Sequence, residues 1–430
     1  MNIELMHELE CNTSDIDNIA FSPDSKHIAY LNYDNHIEIV SSDNYTLENT
    51  IICPNTIQKM IWSPDSKYLM VLMASLNEIS IFSISSKYRP KQVSPPSYSI
   101  SGGYIETERV LWSPSGNNVL LFGINSSQLL LWNIARNTFK RLPTPKSSFK
   151  SAVFSNDGNY LGILTRGKAQ DVLVILGNDF TPKKSISLST IDATSLYWSK
   201  DNSFIVIPDC KSHYLLQVID VNTENISDYA AYEGFLGIEC VGISPNSKII
   251  ALGNYDNMIR LRVSAGQGIW RNLEELIHNP TIFHPATVFQ QQEGGFSNMD
   301  KPYNITNIVE NATGISKLCW SRDNKFIASC PEKMPNTVFV WDTETITQQV
   351  IVLNYPVEDI SWSLKSNYLL IGTGTNVLSI WSPNGMSIKY LDNSFRCHAI
   401  KWGNGDNLLI VDKQSNFIFP AKFVLDSDTR

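Results

Sequence analysis

Positive charge is scarce in this sequence. Its 34 Lys and Arg stand against 42 Asp and Glu, a net charge of −8 over 430 residues. A protein that grips nucleic acid by its phosphates needs a basic face, and one that grips anionic lipid needs a basic cluster. Neither partner is expected here. Long apolar runs are missing too. The longest, such as residues 68–73 (YLMVLM), fall far short of the roughly 20 residues that a bilayer-spanning helix needs. The start, MNIELMHELE, is acidic and has neither the basic region nor the apolar stretch of a secretory leader. Seven cysteines (Cys11, Cys53, Cys210, Cys240, Cys319, Cys330 and Cys397) show no CxxC spacing. An odd, dispersed set fits reduced thiols in a cytosolic or nuclear protein, with Cys319 and Cys330 as small buried hydrophobes, and does not fit a disulfide framework.

Motifs that carry chemistry are equally sparse. There is no GxxxxGK[ST] phosphate loop, no HExxH and no GxSxG. GTGTN at residues 372–376 holds half of a dinucleotide fingerprint, but it falls between two expected strands and reads as a hairpin turn. The seven His are dispersed, with no acid or nucleophile read beside them. His278 and His284, six apart without Cys or acidic partners, read as loop histidines and not as metal ligands. No catalytic residue, cofactor site or metal site is assigned. The chain is expected not to be an enzyme, and a small-molecule substrate is not expected.

What the sequence does have is a phrase repeated nine times: an aromatic or apolar residue, Ser or Gly, a polar turn, then an apolar run. Copies begin at Phe21 (FSPDSKHIAY), Trp62 (WSPDSKYLMV), Trp112 (WSPSGNNVLL), Phe154 (FSNDGNYLGI) and Trp198 (WSKDNSFIVI). Others begin at Ile243 (ISPNSKIIAL), Trp320 (WSRDNKFIAS), Trp362 (WSLKSNYLLI) and Trp402 (WGNGDNLLIV). Successive starts differ by 41, 50, 42, 44, 45, 77, 42 and 40 residues. All but two spacings match a propeller blade of roughly 40–45 residues. Each copy has room for four short strands, and the turn residues act through fixed φ, Asx bonding and tolerance of positive φ. One such sheet cannot bury both faces alone, so copies must stack. The fold class expected is all-β, a β-propeller spanning 1–430 as a single closed ring of nine blades. Seven or eight blades plus an appended sheet, or two smaller propellers, are the alternatives. The last copy has only three strands, so residues 1–9 are expected to supply the closing strand.

Three stretches depart from the repeat. Residues 85–108 read as a long loop carrying a basic island of Lys87, Arg89 and Lys91. Residues 229–238 (YAAYEGFLGI) place aromatics and two Gly between copies, and Tyr232, Phe235 and Leu236 there are candidate interface anchors. Residues 266–312 form an insertion between the sixth and seventh copies. Within it 269–277 reads as an outer strand or short helix, and 305–309 as a returning strand. Trp270 and Phe283 in this insertion complete the candidate partner-binding set, because long insertions between repeats map to one face.

The phrase resembles that of WD repeats in a divergent form. Only Trp341–Asp342 is a literal WD pair, Trp132–Asn133 and Trp381–Ser382 replace it elsewhere, and no GH dipeptide precedes the repeats. The hydrogen-bonded Asp-His-Ser-Trp set of standard blades is therefore expected to be absent. Residues 230–261 (AAYEGFLGIECVGISPNSKIIALGNYDNMIRL), 335–342 (PNTVFVWD) and 377–385 (VLSIWSPNG) resemble the spindle-pole and centrosomal family known as WD repeat-containing protein eight. The resemblance implies a scaffold in the cytoplasm and cytoskeleton, at the spindle pole body or centrosome, with a coiled-coil adaptor as partner. Through it, indirectly, the scaffold would hold a minus-end-directed kinesin and anchor microtubule minus ends for bipolar spindle assembly. The alternative is a translation-initiation-factor-like propeller that binds ribosomal subunits.

Overall fold

The computed structural model describes the chain apart from residues 1, 6–8, 11–18, 54, 74–77, 85–90, 94–95, 102–104, 124–127, 148, 394, 404–406, 413–416 and 425–430. It is all-β, with no α-helix among the described residues, and has the WD-repeat β-propeller class of fold. Backbone contacts divide it into two compact units, Met1–Ser147 with Ser394–Arg430, and Ser148–Asn393. The first unit holds four sheets of four or more strands among the described residues, and the second holds five.

Each copy of the phrase builds one antiparallel meander. In the sheet of Ile238–Ile243, Ile249–Asn254, Met258–Gly266 and Ile269–Ile277, each strand pairs with the one before it. Burial follows position in the sheet. Second strands such as Phe204–Pro208 are buried at every residue, because both faces meet neighbouring sheets. Fourth strands such as Thr138–Leu142 expose all but their last residue. This explains the sequence pattern, in which continuous apolar runs mark inner strands and alternation fades outward. In the first unit, Asn2–Leu5 pairs antiparallel with Phe417–Val424, beside Asn407–Asp412 and Cys397–Trp402.

The polar half of the phrase is a hydrogen-bonded turn. Ser22 Oγ donates to Asp24 Oδ1 at 2.6 Å, Lys26 N donates to the same oxygen, and His27 N donates to Ser22 Oγ. The same pattern returns at Ser63–Asp65 and Ser321–Asp323. The residue after the acid or its equivalent takes positive φ, as at Ser66, Asn202, Ser247 and Asn324. Its side chain then accepts an amide from the preceding sheet's turn: Asp24 N to Ser66 Oγ (3.0 Å), Asn156 N to Asn202 Oδ1 (2.8 Å), Asp201 N to Ser247 Oγ (3.1 Å) and Asn246 N to Asn324 Oδ1 (2.7 Å).

The aromatic half is a second lock. The indole Nε1 of Trp62, Trp112, Trp198, Trp320 and Trp362 donates to the carbonyl of Ala20, Ile61, Val153, Gly242 and Cys319, at 3.0–3.3 Å. Every acceptor is the residue just before the first residue of the preceding copy. Trp at this position thus fills the space between sheets and bonds backward to the earlier innermost strand. Trp320→Phe keeps an aromatic ring but deletes the donor and part of the indole's bulk, so urea unfolding should show a loss of about 1–2 kcal/mol. Trp320→Ala should cost about 3–5 kcal/mol by leaving a cavity as well.

Two expectations about the departures change. Residues 85–108 are not one long loop. Tyr98–Ser101 pairs with Glu78–Ser83 as the fourth strand of its sheet, Lys91–Val93 adds in parallel to Leu47–Ile52, and Ile105–Trp112 begins the next sheet. Pro95, Pro96 and Gly102–Gly103 bracket that four-residue strand closely and disguise it. Lys87 and Arg89 of the basic island lie outside the described residues. In the insertion, Ile269–Ile277 is the ordinary fourth strand, so the extra chain begins at His278. A hairpin of Thr287–Gln292 and Gly295–Asn298 joins Thr347–Val352 in parallel and makes a six-stranded sheet. Residues 305–309 form no strand. Ile305 N bonds to Pro280 O, after a two-residue pairing of Thr281–Ile282 with Tyr303–Asn304.

Candidate functional site

In a four-stranded meander, the turn between the second and third strands lies at the same end as the entry to the first. Residues 230–237, entering Ile238–Ile243, therefore meet the 255–257 turn of the same sheet. Gly237 N donates to Lys211 O (2.8 Å), and Tyr255 N donates to Gly237 O (3.2 Å). A Cβ on Gly237 would stand 2.9 Å from Tyr214 Cα, so only Gly permits this approach. Gly234, with φ +82°, turns the chain in the left-handed region. Tyr232 Oη donates to Leu236 O at 2.8 Å and ties the loop across its base. The Tyr232 ring packs edge-on against Tyr214 (4.7 Å between centroids) and Phe235 (6.3 Å), under the Arg260 guanidinium at 5.3 Å. Arg260 in turn is held by Asp256 (2.8 Å) and Glu275 (3.0 Å).

This bracing pushes two apolar side chains outward. Phe235 is 76% exposed and Leu236 47%. With Tyr232, Tyr255, Asp256 and Thr313 they line an open, largely apolar groove of about 480 Å³. An exposed aromatic fixed by its own loop loses little freedom on binding, which is the property of an interface anchor. Burial raises the Tyr232 phenol, with the Asp256 carboxylate adding to it. Burial also raises the Glu239 carboxyl, helped by Glu332. Lys211 Nζ sits 5.2 Å over the Tyr255 ring.

The five candidate anchors do not form one patch. Tyr232, Phe235 and Leu236 share the groove. Trp270 is buried, edge-on to Phe204 at 4.8 Å, and its carbonyl accepts from Arg262 Nη2 (2.9 Å), so it belongs to the core between sheets. Phe283 is 62% exposed but lines a different hollow of about 310 Å³, with Ile277, Pro285 and Ile346. Tyr255, Asp256 and Thr313 were not singled out in the sequence, where they lie in a hairpin turn and at the end of the insertion.

Several histidines also differ from expectation; His27 Nδ1, for one, lies 2.7 Å from Glu48 Oε2. His278 lies in the loop after Ile269–Ile277, as expected, but is buried there as a structural residue. Its Nδ1–H donates to Asn257 O (2.9 Å), and its Nε2 accepts from Ser329 Oγ (2.8 Å), which accepts from Trp341 Nε1 (3.0 Å). The His-Ser-Trp part of the standard blade set is thus present here, with a backbone carbonyl in place of the Asp. His213 does have a nearby acid: its Nδ1 lies 2.6 Å from Asp209 Oδ2. That carboxylate also accepts the amides of Ile191, Asp192 and Cys210, so the pair braces two turns. Among the described residues, no group of three or more His, Cys, Asp or Glu could hold a metal ion.

Residues 304–342 match the family described as WD domain, G-beta repeat. The mouse WD repeat-containing protein WRAP73 is 25% identical over 434 residues, which cover 91% of each chain, and the sequence resemblance is consistent with this match. Two solved structures are similar in fold. One is described as a eukaryotic initiation factor (TM-score 0.60, 11% identity, 87% of this chain and 88% of that one). The other is the C-terminal WD40 domain of Sif2 (TM-score 0.52, 12% identity, 98% and 99%).

Proposed function

We propose that this chain, a WD-repeat protein of the protein-interaction scaffold type, is a non-catalytic platform that docks a helical partner in the Tyr232–Phe235–Leu236 groove. The observation that carries this reading is Phe235, a large apolar side chain presented to solvent by a loop braced at both ends. The partner is a coiled-coil adaptor at the microtubule-organising centre. Through it the scaffold holds a minus-end-directed kinesin, anchors microtubule minus ends and supports a bipolar spindle. A coiled-coil surface suits such a groove, because an amphipathic helix presents apolar anchors at i, i+3 and i+4 to a partner of this shape.

Imaging tagged protein through mitosis tests the proposal. Wild type should form discrete spots at spindle poles, and Phe235→Ala/Leu236→Ala should be diffuse at equal abundance. Wild-type signal spread through the cytosol and co-sedimenting with ribosomal subunits would contradict it and favour the initiation-factor-like alternative.

A further inference from the structure

The groove has a charged rim whose sign restricts its occupant. Glu233 stands on the loop between Tyr232 and Phe235, and Asp256 lines the groove. Glu239 lies against Gly314, where a Cβ would meet its Oε2 at 1.9 Å and the Tyr255 ring at 3.3 Å. Glu332 joins them: its amide donates to Gly314 O at 3.0 Å, and its carboxylate lies near enough to Glu239 to push that group up. Lys211 and Arg260 stand near these carboxylates, and both are engaged. Lys211 lies over Tyr255, and Arg260 is held between Asp256 and Glu275. The Glu239 carboxyl is half-buried and already answered from within, by the Ile315 amide and by Lys211, so Glu233 and Glu332 are the acids left to face a ligand.

Building on the docking reading above, we infer that the groove takes a basic amphipathic helix: one bulky apolar side chain seats against Phe235 and Tyr255, and Lys or Arg about one turn to either side meet Glu233 and Glu332. One helical turn rises roughly 5.4 Å, which lets flanking cations reach the rim while the anchor stays seated. An acidic helix meets like charge there and is rejected, so the rim supplies specificity and the apolar centre supplies affinity.

Three synthetic helices with the same apolar face, carrying Lys, Gln or Glu at the flanking positions, test this by fluorescence anisotropy against the full chain. The Lys helix should bind about tenfold or more tighter than the Glu helix at low salt, the advantage shrinking as salt rises. Glu233→Lys/Glu332→Lys should reverse that order, and Phe235→Ala should weaken all three. Equal binding of the Lys and Glu helices, lost in Phe235→Ala, overturns the charge inference and leaves the groove reading standing. Binding indifferent to Phe235→Ala, or no binding by any helix, overturns both.

Discussion

Phe235→Ala is expected to weaken binding of the proposed coiled-coil adaptor by about 30-fold or more, the effect of truncating an interface anchor worth about 2 kcal/mol or above. Its unfolding midpoint should stay at the wild-type value, because the side chain is already 76% exposed and gives up little burial. Titration calorimetry with the adaptor's coiled-coil segment, beside a thermal melt of each variant, reads both quantities. Tyr232→Phe is the informative companion. It keeps the ring and removes the hydroxyl that bridges to Leu236 O, so a smaller loss of affinity should appear as the loop loosens. A Phe235→Ala variant that binds normally would place the docking site elsewhere.

The second large effect is on stability. His278→Ala should lower the unfolding free energy by about 3 kcal/mol or more, since it opens a cavity beside Phe339 and Trp341 and strands Ser329 and the Asn257 carbonyl. The same residue makes the fold acid-sensitive. Burial lowers the His278 pKa to about 4 from its ordinary 6.5, the bond to Asn257 opposing the shift. Between those values the unfolded chain binds a proton that the folded chain refuses. The stability His278 supplies is therefore complete above pH 6.5 and is lost as pH falls toward 4, by roughly 3 kcal/mol in all. Protonation would set an Nε2–H against the Ser329 hydroxyl that now donates to it. Urea midpoints of wild type and His278→Phe at pH 7.5 and 5 check this, the variant losing less on acidification. Parallel loss in both would assign the acid response to other groups.

What was legible in the sequence is what short-range chemistry encodes. The SPDS turn, the apolar run after it and the positive φ at Ser25 or Asn324 are local, so the repeat and its strands could be read directly. Long-range roles stayed hidden. The phrase Trp is visibly recurrent, but its indole partner lies 42–78 residues earlier, as Trp62 to Ala20 and Trp320 to Gly242 show. The loop position of His278 could be read, but not its burial, because its partner Ser329 lies 51 residues on, beyond the insertion. The candidate site was half legible. Tyr232, Phe235 and Leu236 stood out as aromatics and an aliphatic in a Gly-bounded loop, whereas Tyr255, Asp256 and Thr313 join them only through folding. Trp270 shows the limit of composition: its aromaticity suits an interface or a core, and packing on Phe204 makes it core.

Hydrogen–deuterium exchange of the scaffold, alone and bound to the purified adaptor, tests the central claim most directly. Protection on binding should concentrate at residues 230–237, 255–257 and 313–314, while the turns carrying Ser66, Ser247 and Asn324 exchange as before. Protection confined to those turns, with the Phe235 loop unchanged, would contradict the account.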